Sequence, residues 1–281
     1  SENKKIRIRN AADALNTTEA NLLSTEIGKN ATYLKIDDYK SLLEDLLQID
    51  KLMLLIRTDY VVHELIIETS NVNITNKRLF YKDQNSSIIE YNLEIFQYAF
   101  FENKKHGKKD LKSFQLFDKY GTSLLKIYLK GFKSELFDKI ALKYKSDYKY
   151  EIQKNDDKKN QHGINKNPYN SDTSNNNTLR EILDISSNEE IPLEINAFGN
   201  QITQYYSGKI KNIVDFGPWI NIIDKSFNLH VLEKCITRNI VKYDKENKLF
   251  IIDLFDKSND RVLEIKLKRQ YEANFTNILK N

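Results

Sequence analysis

The 281-residue sequence predicts an α+β fold of two tandem, similar lobes, each a mostly antiparallel β-sheet flanked by helices. Three observations predict it. Leu116-Phe117-Asp118-Lys119 recurs as Leu254-Phe255-Asp256-Lys257, and at the same offset Leu125, Ile127 and Leu129 match Leu263, Ile265 and Leu267. A strand alternation repeated at constant spacing marks a duplicated unit. Runs of β-branched and aromatic residues between turn residues supply the strands, and short amphipathic stretches supply the helices. An apolar fraction of 40%, with 16 Tyr and 14 Phe, provides a core for one large domain or two ordinary ones.

The first forty-odd residues read as helical. Asn16 with Glu19 forms a capping box before EANLLST, and Asp38 caps DYKSLLEDLLQI, whose Leu42, Leu43, Leu46 and Leu47 share one face. From Lys51 the pattern turns to strands in KLMLLIRT, YVVHELIIET and NVNITNKRLFY, and again in KSFQLFDKYGTSLLKIYLK. The helix FKSELFDKIALKY closes the first lobe, residues 1–144. Residues 145–178 carry almost no apolar periodicity and end in an Asn/Ser/Thr tract, the composition of a polar, flexible linker. The second lobe, residues 179–281, opens on the helix TLREILDI and continues in strands from Ile191 to Arg269. The repeat extends into its last helix, where Phe275 and Ile278 match Phe137 and Ile140.

Composition excludes several classes. The net charge of +4 is dispersed, so no basic patch argues for nucleic acid. No run approaches the ~18 apolar residues of a membrane span, and the N-terminus lacks the apolar core of a signal peptide. With one cysteine, Cys235, the chain makes no internal disulfide and no multi-cysteine metal site. A cytoplasmic location is expected. Oligomeric state is left open.

Chemistry-bearing motifs are sparse. There is no Gly-rich phosphate loop, no His-Glu-x-x-His and no nucleophile elbow. Cys235 reads as an ordinary strand residue, and Asp37-Asp38 and Asp156-Asp157 as a helix cap and solvated charge. His63 and His230 lie on strands and read as hydrogen-bonded structural residues. His106 falls at a hairpin tip and His162 in the linker. Trp219, the only Trp, sits in GPWINIIDKSFNLH between Pro218 and an Ile-rich alternation, where a core role is expected.

That stretch resembles the C-terminal signature of the cytoplasmic haem-trafficking and hemin-degrading factor family (HemS/ChuS-like proteins). The resemblance includes RNAADALNTTEANLLS, the run Arg57 to Glu64 and SFQLFDKYGTSLLKIY, in the family's order over most of residues 6–144 and 178–280. It implies two tandem halves and a cytoplasmic haem-binding protein acting in haem uptake, trafficking or breakdown, with a haem transporter or acceptor protein as partner. The haem would lie in a cleft between the halves. Enzymatic haem degradation is implied by resemblance only and has no residue-level support of its own.

Carried onto this sequence residue by residue, the resemblance is incomplete. The family's axial-histidine helix has no counterpart. His162 stands where that segment would begin and is the iron ligand the resemblance leaves, with Tyr169 as a phenolate alternative. A distal Arg of the first half is replaced by Glu90, with Asn92 where an aromatic is expected, whereas a second distal Arg is retained as Arg269. The alternative is a divergent member that kept the fold, lost the haem site and binds another ligand or a protein partner.

Overall fold

In a computed structural model, residues 7–83, 86–107, 109–151 and 178–279 are described. The first half runs α1 (Ile8–Ala14), α2 (Glu19–Ser24), β1 (Ala31–Leu34), α3 (Tyr39–Leu46), β2 (Lys51–Arg57), β3 (Val61–Glu68), β4 (Val72–Ile74), β5 (Arg78–Tyr81), β6 (Ser87–Tyr91), β7 (Tyr98–His106), β8 (Lys109–Phe117), β9 (Ser123–Leu129) and α4 (Ser134–Lys143). The second runs α5 (Thr178–Asn188), β10 (Leu193–Phe198), β11 (Ile202–Gly208), β12 (Ile213–Phe216), β13 (Trp219–Ile223), β14 (Phe227–Leu232), β15 (Ile236–Asp244), β16 (Leu249–Asp256), β17 (Arg261–Lys268), a 3-10 segment Arg269–Phe275 and α6 (Thr276–Leu279).

The strands form a nine-stranded sheet, β1-β7-β8-β9-β2-β3-β14-β13-β12, and an eight-stranded sheet, β15-β16-β17-β10-β11-β6-β5-β4. The duplication is written into these orders. Strands β7-β8-β9-β2-β3 and β15-β16-β17-β10-β11 follow one connectivity, and each run is continued by three strands of the other half. The LFDK repeat closes equivalent hairpins: Asp118 Oδ1 accepts the N–H groups of Tyr120 and Thr122, and Asp256 Oδ1 those of Ser258 and Asp260.

Two compact units result, Ser1–Leu55 with Ile66–Ser86 and Tyr91–Gln161, and Ile56–Leu65 with Ser87–Glu90 and His162–Asn281. In the first, Phe114 meets Phe137 of α4 edge-on, with centroids 4.9 Å apart. Phe100, Phe117, Ala20 and Leu23 form a neighbouring buried cluster. Tyr150 joins that cluster, 9% exposed, and its hydroxyl donates to Asn21 Oδ1 at 3.1 Å. The start of the segment read as linker therefore packs, because Tyr150 supplies the apolar ring that its polar neighbours lack. In the second unit, β10, β16 and β17 point Ile195, Ile252, Leu254, Leu263 and Ile265 inward, each fully buried. Leu179, Ile182 and Leu183 of α5 are buried with them.

Three local expectations are corrected. The α2 cap is Thr18, whose side-chain oxygen accepts the Asn21 N–H at 3.0 Å; Asn16 has φ +48° and turns the chain out of α1 two residues too early to cap. Glu19 instead accepts from Arg9 Nε and the Ser123 N–H. The forty-residue helical stretch is interrupted by β1, which pairs antiparallel with β7 from Ala31↔Glu102 to Leu34↔Ala99. Four residues are too short a run for alternation to reveal. Cys235 ends a 3-10 turn, Glu233–Cys235, and is not a strand residue. Asp38 does cap α3, accepting from the Lys40 and Ser41 N–H groups. At the chain end Phe275 and Ile278 are buried like Phe137 and Ile140, although the backbone there is mostly 3-10.

Candidate functional site

Most of the described residues that the sequence singles out lie in the second unit, which draws β3 and β6 residues from the first half. There β14 pairs antiparallel with β3, from Phe227↔Leu65 to Val231↔Val61. Alternation then sends His63, Leu229 and Phe227 to the buried side. His63 is 0% exposed and lies edge-on to Phe227 at 5.1 Å between centroids. Tyr206 stacks on Phe227 at 3.7 Å.

Gln204, also 0% exposed, donates its Nε2–H to His63 Nδ1 at 2.7 Å. With Nδ1 accepting, the proton of the neutral ring sits on Nε2, which meets no hydrogen-bond partner among the described residues. Burial pushes the His63 pKa down to about 3. The ring is a neutral, fully buried core group, which agrees with its structural reading. Gln204 was not legible as its partner. The available signal was a lone amide at an inward position of β11, between Ile202 and Tyr206.

The opposite face of the eight-stranded sheet carries a polar row. Asp253, Glu264, Asn196 and Tyr205 are successive cross-strand partners. Asn196 Nδ2 donates to Glu264 at 2.6 Å; Arg261 bridges Asp253 and Glu264, both at 3.1 Å, and its guanidinium lies 4.0 Å from the Phe198 centroid. Lys242 donates to Asp253 at 2.7 Å, and Lys266 lies 3.4 Å from Glu264. Tyr205 donates its hydroxyl to Glu90 at 2.8 Å, and burial together with that carboxylate holds the phenol pKa well above its ordinary value. Three cations, Lys242, Arg261 and Lys266, pair with two carboxylates, Asp253 and Glu264, and Glu90 at the end of the row brings the charges to balance.

His230 lies on the other face of β14 from Phe227, in register with Asn221 of β13 and Val62 of β3. The Asn221 amide donates to the backbone oxygens of Val214, at 2.8 Å, and Trp219, at 3.1 Å. Its Oδ1 therefore faces His230 Nδ1, 2.6 Å away. A carbonyl oxygen only accepts, so the imidazole carries a proton on Nδ1. Trp219 is half-buried beside this pair, and neither wholly core nor wholly exposed.

The remaining candidates are dispersed. Arg269 opens the 3-10 segment with its side chain 61% exposed, 3.8 Å from Glu272 and 5.6 Å from the Tyr243 centroid. His162 and Tyr169 lie outside the described residues, as does the side chain of His106 at the end of β7. Burial raises the Cys235 thiol pKa, which lowers its thiolate fraction near neutral pH. No cluster of three or more His, Cys, Asp or Glu suited to a metal ion occurs among the described residues. No helix among them is long and apolar enough to cross a membrane. For a haem cargo these residues fit in part: Arg269 is an exposed cation of the kind a propionate would need, while the Glu90 carboxylate would repel one.

Comparison with known proteins bears on this fit. Residues 32–141 match the model of the haem utilisation ChuX/HutX family. No curated protein matches the chain by sequence. Among solved structures, the chain is similar to the heme-degrading enzyme ChuS of Escherichia coli O157:H7, with a TM-score of 0.83 at 17% identity over 98% of this chain and 95% of that one. A second ChuS structure, described as an E. coli heme oxygenase, gives 0.82 at 16% identity, covering 99% and 97%. Holo-PhuS, a heme-binding protein from Pseudomonas aeruginosa, gives 0.79 at 16% identity, covering 95% and 90%. At such identities the likeness is one of fold, and it spans both halves.

Proposed function

We propose that this chain binds haem and acts in haem uptake, trafficking or breakdown. The observation that carries the reading is the match of residues 32–141 to a haem utilisation family, joined to a fold shared with ChuS and PhuS along nearly the whole chain. Apolar burial of the porphyrin would supply most of the affinity, at ~25 cal/mol per Å² removed from water. Arg269 is the cation assigned to a propionate, and His162 is assigned to the iron, with Tyr169 as the phenolate alternative. Lobes 1–144 and 179–281 would be joined through 145–178. The setting is cytoplasmic, with a haem transporter or acceptor protein as partner. No residue described here supports a degradation step.

The test is a titration of the apo-protein with hemin, followed in the Soret band. A saturating shift at micromolar or tighter affinity is the expected result; unsaturating change alone refutes haem binding. His162→Ala should remove the ligand-dependent shift, and an unchanged titration removes His162 from the site. Glu90 favours a second reading, a protein that kept the fold and serves another ligand or a protein partner. Its carboxylate is held by Tyr205 and completes the charge balance of the Asp253–Glu264 row. Saturable hemin binding excludes that reading.

A further inference from the structure

The β12 edge of the nine-stranded sheet is guarded differently from its duplicate. Strands β4 and β12 are equivalent by strand order. Each leads into its neighbour through a two-residue turn, closed by Thr75 and Arg78 in one half and by Phe216 and Trp219 in the other. Counting back from those turns matches Asn73 to Val214, Thr75 to Phe216 and Arg78 to Trp219. In the first half this face is polar: Asn73 and Thr75 are exposed, and the Arg78 guanidinium lies 4.7 Å from the Phe80 centroid. In the second it is apolar, with Val214 48% and Phe216 80% exposed. Polar and charged side chains are the usual guard of a sheet edge, and an apolar edge invites pairing. On this face β12 carries no such guard.

Its backbone is open as well. The Ile223 N–H donates to the Asn212 carbonyl at 2.9 Å, so by antiparallel alternation Val214 is the residue bonded to Asn221. The N–H and C=O of Ile213 and Asp215 then point away from β13, and no other strand pairs with them among the described residues. An antiparallel strand added here must set its own edge-facing residues opposite these two. A second β12 does so in one register, with Ile213 opposite Asp215 of the other copy, the reverse pair alongside, and Val214 facing its counterpart. The same register matches charge. Lys211 and Asp215 are both exposed and alternate onto the face of Ile213. Each Lys211 comes to lie diagonal to Asp215 of the other copy, within reach of a long side chain. Arg180, 2.6 Å from Asp215, holds that carboxylate at the edge. We propose that β12 is a self-association edge, joining two copies of this chain antiparallel about a two-fold axis at Val214. An unrelated peptide could use the open backbone, but the chain's own strand returns the Lys211–Asp215 complement twice. A four-residue edge falls at the low end of interface sizes, under roughly 1,200 Å², so the dimer is weak and concentration-dependent.

Sedimentation velocity of the full-length chain over a concentration series, without hemin, is the test. Wild type should pass from monomer towards dimer as concentration rises. Val214→Lys sets like charges face to face on the axis and should abolish that passage. Lys211→Asp and Asp215→Lys each turn both cross-copy pairs into like charges, and each should weaken dimerisation roughly tenfold. Mixed in equal amounts, these two variants should associate as tightly as wild type, because each supplies the charge the other lacks. The emission of Trp219, the only Trp, and the urea midpoint report whether each variant is folded. A wild-type chain that stays monomeric throughout overturns the proposal. A dimer that folded Val214→Lys leaves intact, or a mixture that associates no better than its components, overturns it too. Hemin takes no part in the measurement, so each of these failures leaves the haem reading standing.

Discussion

Lowering the pH should weaken the second unit through one side chain, His63. The folded ring is held neutral, with its pKa pushed by burial from 6.5 to about 3. In the unfolded chain it returns to the ordinary value, so below that value the unfolded state binds the extra proton and gains on the folded one. The contribution of His63 is therefore whole above pH 6.5 and is lost progressively as the pH falls towards 3. Each unit of that window is worth about 1.4 kcal/mol, so going from about pH 7.5 to about pH 5 should remove about 2 kcal/mol. Urea unfolding followed by Trp219 emission measures it, since His63 and Trp219 belong to the same unit. Carboxylates titrate over the same range, so the informative quantity is the wild-type loss minus that of His63→Gln. That variant keeps an acceptor for Gln204 and removes the titrating ring. A difference near 2 kcal/mol is expected. If wild type and variant lose stability in parallel, the buried-histidine account is wrong.

Other outcomes follow from single contacts. Gly121→Ala places a methyl 2.6 Å from Thr18 Oγ1 at a backbone φ of +75°, so both packing and conformation oppose it; a loss of about 1–3 kcal/mol in urea unfolding is expected. Thr18→Ala removes the α2 cap and should cost about 1 kcal/mol by the same assay. Arg269→Ala should leave stability within about 0.5 kcal/mol, since the side chain is exposed, but lower hemin affinity about tenfold if it meets a propionate. Cys235 should react with a thiol reagent near neutral pH more slowly than free cysteine, because burial raises its pKa.

Much of this fold is legible without coordinates, and the LFDK repeat shows why. Duplicated strand alternation reports both the fold class and the equivalence of β8-β9 with β16-β17, because inward positions must stay apolar in both copies. What was not legible was pairing at a distance. Nothing local in FNLHV says that β14 will lie against β3, or that Gln204 will reach His63 across 141 residues. The capping error has the same origin: Asn16 and Glu19 have the right spacing, but Glu19 is recruited by Arg9 and by the Ser123 N–H. At the candidate site, Glu90 and Arg269 were readable as individual letters. The Asn221–His230 hydrogen bond was not, since it depends on two carbonyls that only sheet register brings together.

The strand orders hold a history as well as a shape. In each sheet a run of five strands from one half is continued by three from the other in the same order, and β1 adds a ninth strand at the far edge of the larger sheet. Two copies of a half-length chain would make this arrangement as a reciprocal strand exchange, a domain-swapped homodimer. Joining the copies end to end turns that association into an intramolecular event, independent of protein concentration. It also frees the two copies to diverge, since a change in one is no longer repeated in the other. Severing the chain between the halves should then yield fragments that are aggregation-prone alone, each with an uncovered strand edge, and that recover solubility when mixed.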